Sequence, residues 1–367
     1  MKKILDETTT TLKAFYEDKK QYQPIIAFFA GFTWDSFTLT RIDLLLDNLI
    51  MFSYILLAGV FIYLVNLVEE NIIENKWLLK YKDWYPNLVQ FFFGGLFSGY
   101  VVYYFQSASI TKNWLFLLFL ILLLVSNEFV KDRLGNLTFQ IIFYYLATFS
   151  FFIFYLPVLF ETMNAFIFLL SGLVSSGFIA GLVYLLYKQL YDKMQAKLKN
   201  QLITLGSIYL IFNMLYFTNL IPPVPLSLKE AGIYHYVNRV GDGYKLRFEE
   251  GSWYEPFKDS DDDFRYAPGD TVFCFASVFA PTNLNTRIYH HWQMYNEKED
   301  EWITTDRTNY KINGGRDGGY RGYTQKRNIQ AGLWRIDVET DREQLLGRVS
   351  FEIEKVDQKV GLKEIIK

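Results

Sequence analysis

Six long apolar runs constrain this chain more than any motif it carries: Leu44–Val68, Pro86–Gln106, Trp114–Val130, Leu137–Phe160, Ala165–Tyr187 and Leu202–Ile221. About 20 helical residues cross a hydrocarbon core of ~30 Å, so each run is long enough, or nearly so, to span a membrane. A water-soluble protein would need an implausibly large core to bury so many apolar helices. Charge gathers before residue 24, in short connecting loops, and after residue 222. The expected organisation is a cytoplasmic segment over 1–23, a membrane-spanning helical bundle over 24–222 and a separate domain over 223–367.

Short loops rich in Lys and Arg stay in the cytoplasm. Basic residues fall in alternate loops: Lys76, Lys80 and Lys82, then Lys131 and Arg133, then Lys188, Lys193, Lys197 and Lys199. The tail after Ile221 is therefore expected outside the cytoplasm. Six spans would also leave Lys2, Lys3, Lys13, Lys19 and Lys20 outside. A seventh, shorter crossing at Pro24–Thr40 returns them to the cytoplasm, so about seven spans are expected, with a re-entrant hairpin as the competing arrangement. No cleavable signal peptide is expected, because Lys2 and Lys3 precede a threonine run and not an apolar one. Ile73, Trp77, Tyr81 and Trp84 recur at helical spacing beside lysines, which reads as an amphipathic helix at the headgroups or an extension of the next span. Gly95 and Gly99, and Gly172, Ser176 and Ala180, sit four apart within spans and are expected to be packing faces.

The stretch GFTWDSFTLTRIDLLLDN, residues 31–48, brings four charges to the membrane boundary. Ionisable residues near hydrocarbon are costly and mark function or pairing. Arg41 and Asp43 are expected in a tight outer turn, with Asp47 one helical turn beyond Asp43, and Arg41 as their counter-charge. Asp35 lies deeper and is the least explained. Elsewhere, Glu128 and Glu161 sit near helix ends and reach water, and Asn213 near mid-span is expected to hydrogen-bond a neighbouring helix.

At IPPVPLS, residues 221–227, the composition changes. The prolines predict a stiff, extended exit from the membrane. Beyond it, alternating segments read as strands: Ile233–Arg239, Tyr244–Glu249, Thr271–Ala280, Thr286–Tyr295, Trp302–Thr305, Tyr320–Lys326, Trp334–Thr340 and Val349–Glu354. Turn signals at Gly241–Gly243, Pro268–Asp270 and Asn313–Gly315 separate them. Roughly eight strands without a convincing helix predict an all-β, immunoglobulin-like sandwich, with an irregular barrel as the alternative.

Three segments then carry a resemblance: HHWQMYNEKEDEW, GGRDGGYRGYTQK and AGLWRIDVETDREQLLGRVSFEIE. Over about 285–354 they resemble the bacterial family known as domain of unknown function 2914. The multi-span region also looks like the membrane part found in members of that family. The resemblance implies a bacterial envelope protein and supplies no activity or catalytic residue.

His290 and His291, adjacent in a strand, point to opposite faces and are not expected to share a metal. DSDDDF, residues 259–264, resembles half of a calcium loop, but Phe264 stands where glycine is needed, so a solvated acidic loop is expected. Arg316, Tyr320, Arg321, Tyr323 and Arg335 lie close in sequence as candidates for contact with a glycan, phosphate or protein partner. No nucleophile–base grouping or phosphate-binding glycine loop is visible, and no cofactor or metal is implied. A formal net charge of −2 without a basic block gives no reason to expect nucleic acid, and a single cysteine, Cys274, excludes an internal disulfide. The leading expectation is a non-enzymatic membrane protein that presents its β domain to an envelope protein, glycan or lipid, as sensor or scaffold. The alternative is a transporter or intramembrane enzyme with a polar site at Asp35, Arg41, Asp43 and Asp47.

Overall fold

The computed structural model describes residues 32–39, 41–127, 136–251, 255, 258–316, 318–327 and 329–367. Its first part is helical: α1 (Leu45–Glu69), a short α2 (Lys76–Lys80), α3 (Tyr85–Ser107), α4 (Ile110–Ser126), α5 (Leu137–Leu159), α6 (Ala165–Gln189) and α7 (Tyr191–Phe217). Local chemistry sets several starts. The Asn75, Asn136 and Asn164 side chains accept from the first-turn amides of α2, α5 and α6, and Pro86 sits in the first turn of α3.

Among the described residues, four helices are long and apolar enough to cross a membrane: Leu45–Glu69, Lys82–Ser107, Leu137–Leu159 and Ala165–Gln189. The expected count of about seven is not supported. Helix α4 has a shorter apolar stretch, Lys112–Ser126. Helix α7 opens with Asp192, Lys193, Lys197, Lys199 and Asn200, which dilute its apolar half. Of the proposed first crossing, residues 32–38 are helical, while 24–31 and 40 lie outside the described residues, as do the N-terminal lysines, Glu128, Lys131 and Arg133. Between α1 and α3, Trp77, Tyr81 and Trp84 are exposed on the short helix and 3-10 turn, as an interfacial segment would place them.

Helix α5 is the hub of the bundle, buried along most of its length. Tyr100 and Tyr104 of α3 donate to its Ala147 and Ser150 carbonyls at 2.7 and 2.9 Å, and Ser171 of α6 donates to its Phe152 carbonyl at 2.9 Å. Asn66 of α1 reaches Gln140 of α5 at 2.5 Å. In an apolar setting such bonds fix helix register where dispersion alone does not. Asn213, by contrast, donates back to Tyr209 within its own helix. The glycine spacing is partly a packing face. A Cβ on Gly172 would lie 2.3 Å from the Tyr209 ring, and one on Gly95 2.7 Å from the Tyr54 ring, whereas Gly177 and Gly181 face open space. Gly172→Val should therefore force α6 from α7 at a cost of ~1–3 kcal/mol, read as a lower unfolding midpoint of the purified protein. An unchanged midpoint would remove this contact from the packing account.

The second part is all β. Strands β1 (Ser227–Tyr234), β5 (Val272–Phe279) and β8 (Tyr320–Lys326) form one sheet, in the order β1-β5-β8. A five-stranded sheet runs β4 (Asp263–Tyr266), β10 (Leu345–Lys355), β9 (Gly332–Glu339), β6 (Asn285–Asn296) and β7 (Glu301–Asn313). The third sheet is β11 (Leu362–Ile366), β3 (Gly243–Glu249) and β2 (Tyr236–Val240). The β1-β5-β8 sheet is the middle layer. Val272, Cys274, Ala276 and Val278 pack toward the five-stranded sheet, while Phe273 and Phe275 pack toward β2 and β3. This explains why VFCFASVF is continuously apolar: both of its faces are covered.

The sandwich expectation thus holds as sheet-on-sheet packing, with eleven strands among the described residues in place of about eight, and a third layer added. The expected strand Ile233–Arg239 is in fact two. It bends at His235, so that β1 joins the middle sheet and β2 the outer one. Strand β4 emerges from the acidic segment because Phe264 is fully buried in the core and the strand pairs in parallel with β10.

The segment 221–227 is not an extended exit. Residues 221–227 are all buried, and the chain turns there, with Val224 N–H bonding Pro222 O and Leu226 N–H bonding Pro223 O at 2.8 and 2.9 Å. Ile221 and Val224 belong to the helical core and Leu226 to a β-domain core. Proline favours turns as readily as extended chain, and these apolar neighbours had a core on either side to enter.

Candidate functional site

The turn between residues 39 and 44 is pinned from several directions. Asn48 of α1 donates to the Ile42 and Leu44 carbonyls at 2.9 and 3.1 Å, and Gln106 of α3 to the Leu39 carbonyl at 3.2 Å. Arg41 then forms a two-pronged pair with Asp43, Nε–Oδ1 at 2.9 Å and Nη2–Oδ2 at 2.8 Å. As expected, the two share one tight turn. What the sequence does not indicate is where that turn points.

Asp43 accepts two bonds from the β domain, from the Thr282 backbone N–H at 3.0 Å and its hydroxyl at 3.2 Å. The Arg41 guanidinium lies over the ring of Phe279, the last residue of β5, at 5.7 Å, and Lys229 of β1 lies over the same ring at 5.4 Å. Burial pushes the Asp43 carboxyl up, but Arg41 and the Thr282 donors outweigh it and hold the group below the ordinary carboxylate value. The pair is a charged hinge-pin between the helices and the β domain.

Further contacts close the same junction. Glu161, between α5 and α6, accepts from Asn283 at 2.9 Å. Asn219, after α7, donates to the Arg342 carbonyl at 2.9 Å, while the Arg342 guanidinium stacks over Tyr216 at 4.0 Å. Asn113 of α4 ties the Asn219 and Leu220 carbonyls at 3.3 and 2.9 Å. Thr282, Asn283 and Arg342 escaped the sequence reading because nothing in a loop's composition says what it rests on.

Asp47 and Asp35 take a different place. The Tyr103 hydroxyl of α3 lies 3.5 Å from both Asp47 Oδ2 and the Arg41 carbonyl, and the carboxylates of Asp47, Asp43 and Asp35 all act on it electrostatically. Asp35 is half-buried beside Ser98. The four charges therefore share one neighbourhood around Tyr103, with Arg41 and Asp43 turned to the β domain and Asp35 and Asp47 toward α3.

The five candidate partner-contact residues are not gathered in one place. Arg321 and the exposed Tyr323 lie on the β8 face next to Tyr244 of β3. Tyr320 packs inward with Ala276 and Val278, with Arg316 over its ring at 5.6 Å. Arg335 lies on the outer face of the five-stranded sheet, 4.3 Å over Trp302 and bonded to Gln293. Proximity in sequence was lost because β8 and β9 belong to different sheets.

His290 and His291 do face opposite sides. Buried His290 meets Thr324 at 2.9 Å, and burial lowers its pKa to about 3, so it is neutral. His291 reaches Thr304 at 2.7 Å on the outer face. Among the described residues no His, Cys, Asp and Glu grouping is arranged to hold a metal ion.

The acidic segment is not simply solvated: Asp261 is fully buried. Its Oδ1 accepts from the Glu249 amide at 2.9 Å and lies 3.5 Å from Lys258. Its Oδ2 has no hydrogen-bond partner among the described residues and stands 3.9 Å from His235 Nε2. Buried Glu249 faces the same nitrogen at 3.2 Å and accepts from the Arg265 amide at 2.7 Å and side chain at 2.5 Å. His235, stacked on Phe264 at 3.8 Å, has Asp270 on its other nitrogen at 3.9 Å. A cleft of about 1060 Å³ opens beside this group, with Asp262, Asp263, Glu352 and Glu354 among its lining carboxylates.

Residues 285–353 match the family model described as a protein of unknown function (DUF2914). The match covers β6 through most of β10, which are the greater part of the five-stranded sheet together with β8. No curated protein matches the chain. Among solved structures, the Pseudomonas fluorescens alkylpurine DNA glycosylase AlkC, bound to DNA containing an abasic site analog, aligns over 72% of this chain and 77% of that one. The identity is 8% and the TM-score 0.19, too low to bear on fold or function.

Proposed function

We propose that this is a multi-pass membrane protein of the bacterial cell envelope that holds its β domain outside the cytoplasm as a partner-binding sensor or scaffold. The junction carries the reading. Asp43 and Glu161 from the helical side, Thr282, Asn283 and Arg342 from the β side, and the buried turn at 221–227 seat the domain on the helix ends. A domain on a loose tether can only capture a partner; a seated domain also transmits load to the helices. The alternative, a transport or catalytic site at Asp35, Arg41, Asp43 and Asp47, is weakened because its ion pair is occupied at this seat.

Orientation follows from charge. Helices α1 and α6 begin at the junction and run 25 residues each, about 37 Å at 1.5 Å per residue, to the far end of the bundle. The far end carries Lys76, Lys80, Lys82, Lys188, Lys197 and Lys199, a surplus that favours the cytoplasmic side. An envelope protein or glycan is the partner class for the outward domain.

Single cysteines test both points, because native Cys274 is fully buried. In intact cells an impermeant maleimide should label Thr308→Cys on the exposed edge strand and spare Gln189→Cys at the far end of α6. The reverse pattern would overturn the orientation. Spin labels on the same two positions should give one narrow distance distribution. A broad one, as a tethered domain would show, would defeat the seated-domain reading.

A further inference from the structure

Helices α6 and α7 are joined through Leu190 and run antiparallel, α7 returning toward the junction with the β domain. Gly172 of α6 meets the Tyr209 ring of α7. Between that contact and the joint at Leu190 lies a cavity of about 540 Å³, with Leu173, Ala180 and Val183 on one wall and Leu198, Leu202 and Gly206 on the other. A Cβ on Gly206 would meet nothing within 4 Å. The volume lies within the range of small-molecule sites, and the walls are almost wholly hydrocarbon and aromatic.

One lining residue does not fit an apolar crevice. Gln201 is 1% exposed, and among the described residues neither its amide nitrogen nor its amide oxygen has a hydrogen-bond partner. A buried amide with both ends unsatisfied is rare and costly. Water is a poor remedy in such a site, since an ordered water needs two to four polar partners. Of the nearby polar groups, the Tyr145 and Ser176 hydroxyls already bond each other at 3.0 Å. A ligand that brings both an acceptor and a donor would satisfy Gln201.

The order of chemistry along the groove identifies that ligand. From the Gly172–Tyr209 contact the groove runs eight residues of α7 to Gln201, about 12 Å at 1.5 Å per residue and comparable to the ~15 Å half-thickness of a hydrocarbon core. Exposed Lys197 lies one helical turn beyond Gln201 on the same face of α7, and exposed Lys188 ends α6. Chain, hydrogen-bonding linkage and cation stand in the order in which an anionic glycerolipid presents its acyl chain, ester and phosphate.

We propose that the α6–α7 groove binds one acyl chain of an anionic glycerolipid, with Gln201 bonded to its ester and headgroup hydroxyl and Lys197 and Lys188 meeting its phosphate. The inference rests on the reading of the helices as membrane-embedded. Annular lipid would coat the whole bundle without preference; this site selects by charge and by the amide.

The test uses the full chain, purified in non-ionic detergent and examined by native mass spectrometry with phosphatidylglycerol and phosphatidylcholine of the same chain length. The expected result is one retained phosphatidylglycerol, held at least tenfold more strongly than phosphatidylcholine. Gln201→Leu should lower retention about tenfold, and Lys188→Gln with Lys197→Gln should erase the preference between headgroups. Gly206→Phe fills the groove from α7 and Ala180→Phe fills it from α6, so either one, if it elutes as a folded protein, should abolish retention. Equal retention by wild type and a folded, groove-filled variant would overturn the site, as would retention without headgroup preference. Carbonate extraction of membranes separates the two failures. A chain released by carbonate defeats the membrane reading, whereas a membrane-retained chain without selective lipid defeats only the groove.

Discussion

An Asp43→Ala protein should keep a folded β domain and lose its seat on the helices. The substitution removes the acceptor for the Thr282 amide and hydroxyl and leaves Arg41 without its two-pronged partner in the turn. Hydrogen bonds to a charged group contribute ~1.5–3 kcal/mol each, and they do not add fully where they share one carboxylate. A net loss of about 2–3 kcal/mol is expected, which corresponds to roughly 30- to 150-fold faster amide exchange at Thr282. Asp43→Asn keeps an acceptor and should lose less. Asp47→Ala is the control, since its contact with Tyr103 is long, at 3.5 Å. Arg342→Ala should loosen the second anchor by removing a cation from the Tyr216 ring, and the two substitutions together should broaden the spin-label distances between positions 308 and 189. Unchanged exchange at Thr282 in Asp43→Ala would mean that the turn at Ile42 and Asp43 does not carry the domain.

The residues differ in how openly they announced these roles. The strands Trp334–Thr340 and Val349–Glu354 were legible because one covered face imposes period-two alternation. The run Thr271–Ala280 reads as a strand in the sequence, but not as one buried on both faces, because that burial depends on β2, β3 and β11, which are distant in the chain. Helix positions were legible for the same local reason. Their number as spans was not, since α7 mixes lysines into its first turns and the end of the third run lies outside the described residues. The site was half legible. That Arg41 and Asp43 form a turn follows from their spacing, but Asp43 and Thr282 are 239 residues apart, and no periodicity connects them. Asp261 misled for a related reason: four aspartates in five positions usually mean a solvated loop, and the Glu249 amide, Lys258 and the His235 ring draw this one inward.

The second large effect is predicted at that aspartate. Burial raises the Asp261 carboxyl from 3.8 to about 6, and its amide, His235 and Lys258 contacts only partly offset this. The folded domain therefore favours the protonated acid. The stabilisation is complete below the unfolded value near 4 and is lost as pH rises through about 6. The interval corresponds to roughly 3 kcal/mol. Glu249 runs in the opposite sense. Burial would raise it, but His235 and the two Arg265 donors bring it down to about 2, so its contribution is present above the unfolded value of 4.5 and lost as pH falls through about 2. The Asp261 and Glu249 contributions together are largest near pH 4.5, whereas His290, lowered from 6.5 to about 3 by burial, contributes stability that is full above 6.5 and lost as pH falls toward 3; the Asp261 contribution is therefore read as the difference between wild type and Asp261→Asn. Asp261→Asn keeps an acceptor for the Glu249 amide and removes the buried charge. It should raise stability at pH 7 and remove the loss that Asp261 contributes between pH 4 and 6. Glu249→Ala should do the reverse at every pH above 4.5, stranding the Arg265 amide and the His235 ring at a cost of about 3–5 kcal/mol. Exchange of the buried Glu249 and Asp261 amides in the full-length protein reads both effects. If Asp261→Asn exchanges faster than wild type at pH 7, the charged carboxylate is a structural partner of His235, and the acid-favoured state is wrong.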